Sequence, residues 1–96
     1  PSYMAPEQVL GKEADARSDI YSLGLVLHEC LTGKTVFFGE DVLERQLNEV
    51  PKPPSAFAEG IPEELDRIIM KCLEKKPDNR FQSGADLLTA LRQVKV

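Results

Sequence analysis

One histidine, two cysteines and a scatter of acids and cations are the side chains here that could do chemistry, and their spacing joins few of them. His28 has no acid or nucleophile at any spacing that acid–base or nucleophilic catalysis uses, so it reads as a histidine on a helix surface. Cys30 and Cys72 form neither a zinc set nor a Cys-x-x-Cys pair. Both fall on apolar stripes, where a free, reduced thiol packs as a small hydrophobe. The one basic run, Lys75-Lys76, reads as a solvated helix terminus. With a net charge of -4 and a pI near 5.0 there is no cation excess to meet nucleic-acid phosphates. Taken singly, Glu7 and Arg80 read as solvated surface charges, and Asp19 as a helix cap favoured by the dipole. No catalytic residue and no metal-ligand set emerges from these positions.

The elements that must position these residues are helical. Ninety-six residues, 42% hydrophobic and 29% charged, make about one small soluble domain with a single core. The longest apolar run, Leu23 to Leu27, is far short of the roughly 20 residues of a membrane helix, and no signal or lipidation motif is present. No membrane contact by this segment and a cytoplasmic location are expected, any anchor lying elsewhere in the protein. A helix over 18–32, capped by Ser18 or Asp19 and stopped at Gly33, is apolar almost all round, its polar face limited to Ser22, His28 and Glu29. Helices over 40–50 (apolar at Leu43, Leu47 and Val50), 62–75 and 83–94 are amphipathic, the last opened by Ser83-Gly-Ala-Asp86. The fold class is all-α, four main helices with a short helical turn near the N-terminus. Three amphipathic neighbours, one half exposed, are too few to cover a helix that is apolar all round.

Three blocks in order, Pro1-Ser-Tyr-Met-Ala-Pro-Glu7, Asp15-Ala-Arg-Ser-Asp-Ile-Tyr-Ser-Leu-Gly24 and Lys76-Pro-Asp-Asn-Arg80, closely resemble the C-terminal third of a eukaryotic-type protein kinase domain. The resemblance covers the whole chain, 1–96, and makes it a truncated, helical C-terminal portion of that fold, with 1–10 as the end of the activation segment. Pro1-Ser-Tyr-Met resembles the serine/threonine-selective form of this segment, and Ser18-Asp-Ile-Tyr-Ser-Leu-Gly24 looks like bacterial serine/threonine kinases. The resemblance implies an ion pair between Glu7 and Arg80 beneath the substrate-positioning loop, and a catalytic-loop anchor in Asp19, whose carboxylate accepts backbone hydrogen bonds. It also implies that Ser2, Tyr3 and Met4 bind substrate, lining the pocket for the residue that follows the phosphorylated one. A frayed terminal segment is the alternative for these three.

The family's Gly-rich loop, strand lysine, His-Arg-Asp loop and Asp-Phe-Gly aspartate do not occur in this sequence, so the chain by itself is expected to hold no cofactor and to be inactive. ATP and magnesium would belong to the parent kinase, a phosphotransferase acting on Ser/Thr hydroxyls of protein substrates. A pseudokinase scaffold lobe and a helical interaction module without kinase activity are the alternatives. The expected partners are the missing upstream part of the kinase domain and protein substrates, with no nucleic acid. An uncovered patch around Ile20, Leu23 and Leu27 is further expected to drive a homodimer, or a swap of the Pro1 to Leu10 segment between copies.

Overall fold

Prolines near the starts and a glycine at one stop set several of the helix boundaries. The computed structural model describes residues 1–95. It contains five α-helices, α1 (Pro6–Val9), α2 (Ala16–Thr32), α3 (Val42–Asn48), α4 (Glu63–Cys72) and α5 (Gly84–Arg92), with 3₁₀ turns at Pro54–Ala56 and Pro77–Asn79. Among the described residues there is no strand, and no helix is long and apolar enough to cross a membrane.

The cap of α2 lies earlier than Ser18 or Asp19. Asp15 Oδ1 accepts the Arg17 N–H at 2.8 Å and Ser18 Oγ accepts the Asp15 N–H at 3.3 Å, which satisfies two orphan amides and starts the helix at Ala16. Its end is Gly33, left-handed at φ 73°, with its N–H bonded to the Glu29 carbonyl at 2.7 Å. Pro62 leads α4 into an acidic first turn, and Ser83 Oγ accepts the Asp86 N–H to open α5. α4 stops at Cys72, three residues before the end expected from the sequence, because the Leu73 N–H is shared between the Ile69 and Met70 carbonyls and the last turn tightens. Lys75 is thereby released from the helix.

α2 lies between two cores. One gathers Ala5, Tyr21, Leu25, Phe37, Val42, Ile69 and Leu73, and the other gathers Ile20, Ile68, Cys72 and Leu87 from α2, α4 and α5 with Phe81 from the loop before α5. α2 and α4 touch nearly backbone to backbone at Gly24, where an added Cβ would sit 2.7 Å from Cys72 Cβ.

Several expectations from the sequence change here. The polar stripe of α2 is not its outer face: His28 is only 2% exposed, while Leu23, Val26 and Leu31 face solvent. Ile20 is buried under α5, so the uncovered patch does not include it. Cys30 is exposed rather than packed in an apolar stripe, while Cys72 is buried. α3 turns Val42 and Gln46 inward and leaves Leu43 outside with Leu47 half-buried, and Val50 lies exposed beyond the helix end at Asn48, so the inward face is not the one its apolar spacing predicts. Val42 packs into the first core from that face, and Gln46 hydrogen-bonds there to Tyr21 and to the main chain of Pro1 and Ser2.

Candidate functional site

The chain reverses after Pro77, whose 3₁₀ turn is closed by the Arg80 N–H on the Pro77 carbonyl at 3.1 Å, and this places the Arg80 side chain in the interior at 2% exposure. Its guanidinium uses all five donors. Nη1 donates to Glu7 Oε2 at 2.7 Å and to the Arg17 carbonyl at 3.0 Å. Nη2 donates to Glu7 Oε1 at 2.9 Å and to the Lys75 carbonyl at 3.1 Å, and Nε donates to the Glu74 carbonyl at 2.7 Å. Residues 73 positions apart thus meet as a buried fork on a carboxylate. Ser18 Oγ adds a 2.5 Å bond to Glu7 Oε2. Burial on its own raises the Glu7 carboxyl, but the donors on Arg80 and Ser18 outweigh it and hold the group at about 2. A desolvated pair is tolerable when its polar atoms find partners, and every donor of this guanidinium has one.

A second polar chain leads from this pair to the first residues. The Arg80 guanidinium carbon lies 4.8 Å from the Tyr21 ring centroid. The Tyr21 hydroxyl donates to Gln46 Oε1 at 2.9 Å and accepts from Lys75 Nζ at 3.0 Å. Gln46 Nε2 donates to the Ser2 carbonyl at 2.8 Å and more weakly to that of Pro1 at 3.4 Å. Burial pushes the Tyr21 phenol up and lowers the Lys75 ammonium to about 8. Lys75 is therefore no solvated terminus: besides Tyr21 it caps the Gln46 carbonyl at 2.9 Å at the end of α3.

Tyr3 is 41% exposed and held at two points, its hydroxyl donating to Glu29 Oε1 and its carbonyl accepting from Ser22 Oγ, both at 2.6 Å. The Glu29 acceptor raises the Tyr3 phenol, with lesser help from burial. Met4, half-buried, closes a turn through its N–H on the Pro1 carbonyl at 3.2 Å. Ser2 and Tyr3 are thus tied to α3 and α2 through Gln46, Ser22 and Glu29, while Glu7 and Arg80 pair in the interior behind them. Asp19 stands apart: it is exposed, its carboxylate bonds no described residue, and it borders a groove of about 450 Å³ with Ile20, Leu23, Leu87 and Leu91. His28 joins none of these groups. Its Nε2–H donates to the Lys52 carbonyl at 2.8 Å and its ring meets Phe57 edge-on, so it ties α2 to the loop before the first 3₁₀ turn.

The sequence alone gives Tyr21 and Gln46 no contact to make, takes Ser18 only as a candidate helix cap and reads Lys75 as part of a solvated terminus. The residues of this chain offer no Gly-rich phosphate loop, and among the described residues no group of three His, Cys, Asp or Glu suits a metal ion.

A family model described as the protein kinase domain matches residues 1–91. The chain is 45% identical over 95 residues to the serine/threonine-protein kinase PknB of Mycobacterium tuberculosis, covering 96% of this chain and 15% of that protein. It is 38% identical over 96 residues to a probable serine/threonine-protein kinase of Clostridium acetobutylicum, covering 97% of this chain and again 15% of the relative. In structure it is similar to the PknI kinase domain of Mycobacterium tuberculosis, with a TM-score of 0.76 and 29% identity over 97% of this chain and 34% of that one. The twitchin kinase region of C. elegans gives a TM-score of 0.79 and 26% identity over 95% of this chain and 16% of that one. The chain thus spans about 15% of the length of the curated relatives it matches.

Proposed function

With this chain a member of the protein kinase family, a partial kinase domain of the bacterial serine/threonine type, we propose that the whole protein transfers the γ-phosphate of ATP to Ser or Thr hydroxyls of proteins. ATP and magnesium would be held by parts of the domain outside these residues. What these residues do is position. Pro1–Glu7 forms the wall against which the substrate residue after the phosphorylated one rests, and Ser2, Tyr3 and Met4 face it. The observation that carries this reading is the buried fork of Arg80 on Glu7, which fixes the end of that wall to the helical base at 2.7 and 2.9 Å. Asp19 supports it as well, an unpaired carboxylate beside an apolar groove that suits backbone N–H donors from a catalytic loop seated there. The exposed Leu23, Val26 and Leu88 become interior once the preceding helix of the domain covers them.

The test is transfer of label from γ-labelled Mg-ATP by the full-length protein to peptides that differ only in carrying Ser, Thr or Tyr. Label on Ser and Thr supports the reading. Binding of Mg-ATP without transfer points to a pseudokinase scaffold, and transfer to Tyr alone overturns the assigned specificity. For the 96-residue chain by itself, calorimetric titration with Mg-ATP is expected to reveal no micromolar site, and the appearance of one would count against this division of roles.

A further inference from the structure

Gln46 belongs to no motif, yet it is fully buried on a seven-residue helix and spends its whole amide on other elements. The orientation of that amide is determined by its neighbours. Lys75 Nζ can only donate, so the acceptor lone pair it uses on the Tyr21 hydroxyl directs the phenolic proton away, toward Gln46. Gln46 must then present Oε1 to Tyr21. Its NH₂ faces the carbonyls of Ser2 and Pro1, which can only accept. The two ends agree on one orientation, giving a donor sequence from Lys75 through Tyr21 and Gln46 to the main chain of Ser2. The same ammonium grips the carbonyl of Gln46 itself at 2.9 Å and that of Arg45 at 3.4 Å, so the end of α3 and its buried amide are held by one group.

We propose that Gln46 is a positioning residue of the peptide-substrate site: it clamps the main chain of Pro1 and Ser2 from α3, with Tyr21 and Lys75 setting its amide. This rests on the reading that Pro1 to Met4 face the substrate. Glu7 and Arg80 secure the far end of the segment, and Gln46 secures the near end. A main-chain clamp sets where the wall stands and leaves phosphate transfer to other groups. Its loss therefore weakens peptide binding more than turnover.

The experiment compares the full-length protein with its Gln46→Met and Gln46→Glu variants. Met keeps the volume without hydrogen bonds, and Glu keeps an acceptor for Tyr21 but sets oxygen against the Ser2 carbonyl. Both variants should raise KM for a Ser/Thr peptide roughly tenfold, the loss of about one buried hydrogen bond, and leave kcat and KM for ATP within about twofold. Val42→Ala, which weakens the packing of α3 without touching the clamp, should lower the melting temperature and leave peptide KM unchanged. Hydrogen exchange gives a second readout independent of activity: the Met4 amide, bonded to the Pro1 carbonyl, should exchange faster in Gln46→Met and not in Val42→Ala. Unchanged Met4 exchange, an unchanged peptide KM, or a KM equally raised by Val42→Ala overturns the proposal. A wild-type protein that transfers no phosphate overturns the functional reading, and the exchange at Met4 then decides the clamp.

Discussion

Replacing Glu7 with Gln should remove a large share of the acid sensitivity of folding. The carboxyl lies at about 2 in the folded chain, against an ordinary value of 4.5, because the Arg80 and Ser18 donors more than offset the penalty of burial. Since the folded value is the lower one, the stabilisation is complete above pH 4.5 and drains as pH falls toward 2. The gap between 4.5 and about 2, at 1.36 kcal/mol per pH unit, amounts to about 3 kcal/mol at pH 7, of which about 1 survives at pH 3. Against a total of roughly 5–15 kcal/mol for a small domain, this is a substantial fraction. The assay is urea unfolding followed by far-ultraviolet circular dichroism at pH 7, 5 and 3. Between pH 7 and pH 3 the unmodified chain should lose about 2 kcal/mol more than Glu7→Gln does, because glutamine has no proton to take up and the remaining carboxylates titrate in both. At pH 7 the variant should itself be less stable by about 3–5 kcal/mol, with Arg80 buried and unpaired. The double variant Glu7→Gln/Arg80→Met should cost less than the sum of the single changes, and it keeps the comparison measurable where the single variant unfolds. Parallel pH curves for the chain and for Glu7→Gln would refute the reasoning.

Gly24→Ala should destabilise by about 1–3 kcal/mol, since the new Cβ meets Cys72 Cβ at 2.7 Å and α2 must move off α4; a melting temperature within 1–2 °C of the parent would contradict this. Ellman's reagent should titrate Cys30 at once in the native chain and Cys72, buried and pushed up to about 11, only after unfolding; two equally fast thiols would be the contrary result. Burial places the folded Lys75 at about 8, below its ordinary 10.5, so between those values the unfolded chain binds more protons and stability should rise with pH. Lys75→Met should flatten that rise, and an unaltered slope from pH 8 to 10.5 would count against the buried ammonium.

The helices themselves were legible because a 3.6-residue period, a leading proline and a trailing glycine act within a few residues of one another. Periodicity names the residues that share a face, but it says nothing about which faces find a neighbour. That is why α2 hides His28 and Gly24 and shows Leu23, and why α3 turns inward on Val42 and Gln46. The meeting of Glu7 with Arg80 was readable only through a resemblance, since no local rule links positions so far apart. Tyr21, Gln46 and Lys75 escaped even that. Each carries a polar atom whose burial is tolerable only because another segment supplies its partner, and such partnerships have no signature along the chain.

The grips on the first three residues take hold of peptide oxygens: Gln46 reaches those of Pro1 and Ser2, and Ser22 reaches that of Tyr3. Every amino acid carries that oxygen. Substitutions at positions 2 and 3 therefore alter what the surface presents without moving it, apart from the single tie of the Tyr3 hydroxyl to Glu29. The position of this segment and the side chains it presents are thus set by different atoms, and one can be changed while the other stands.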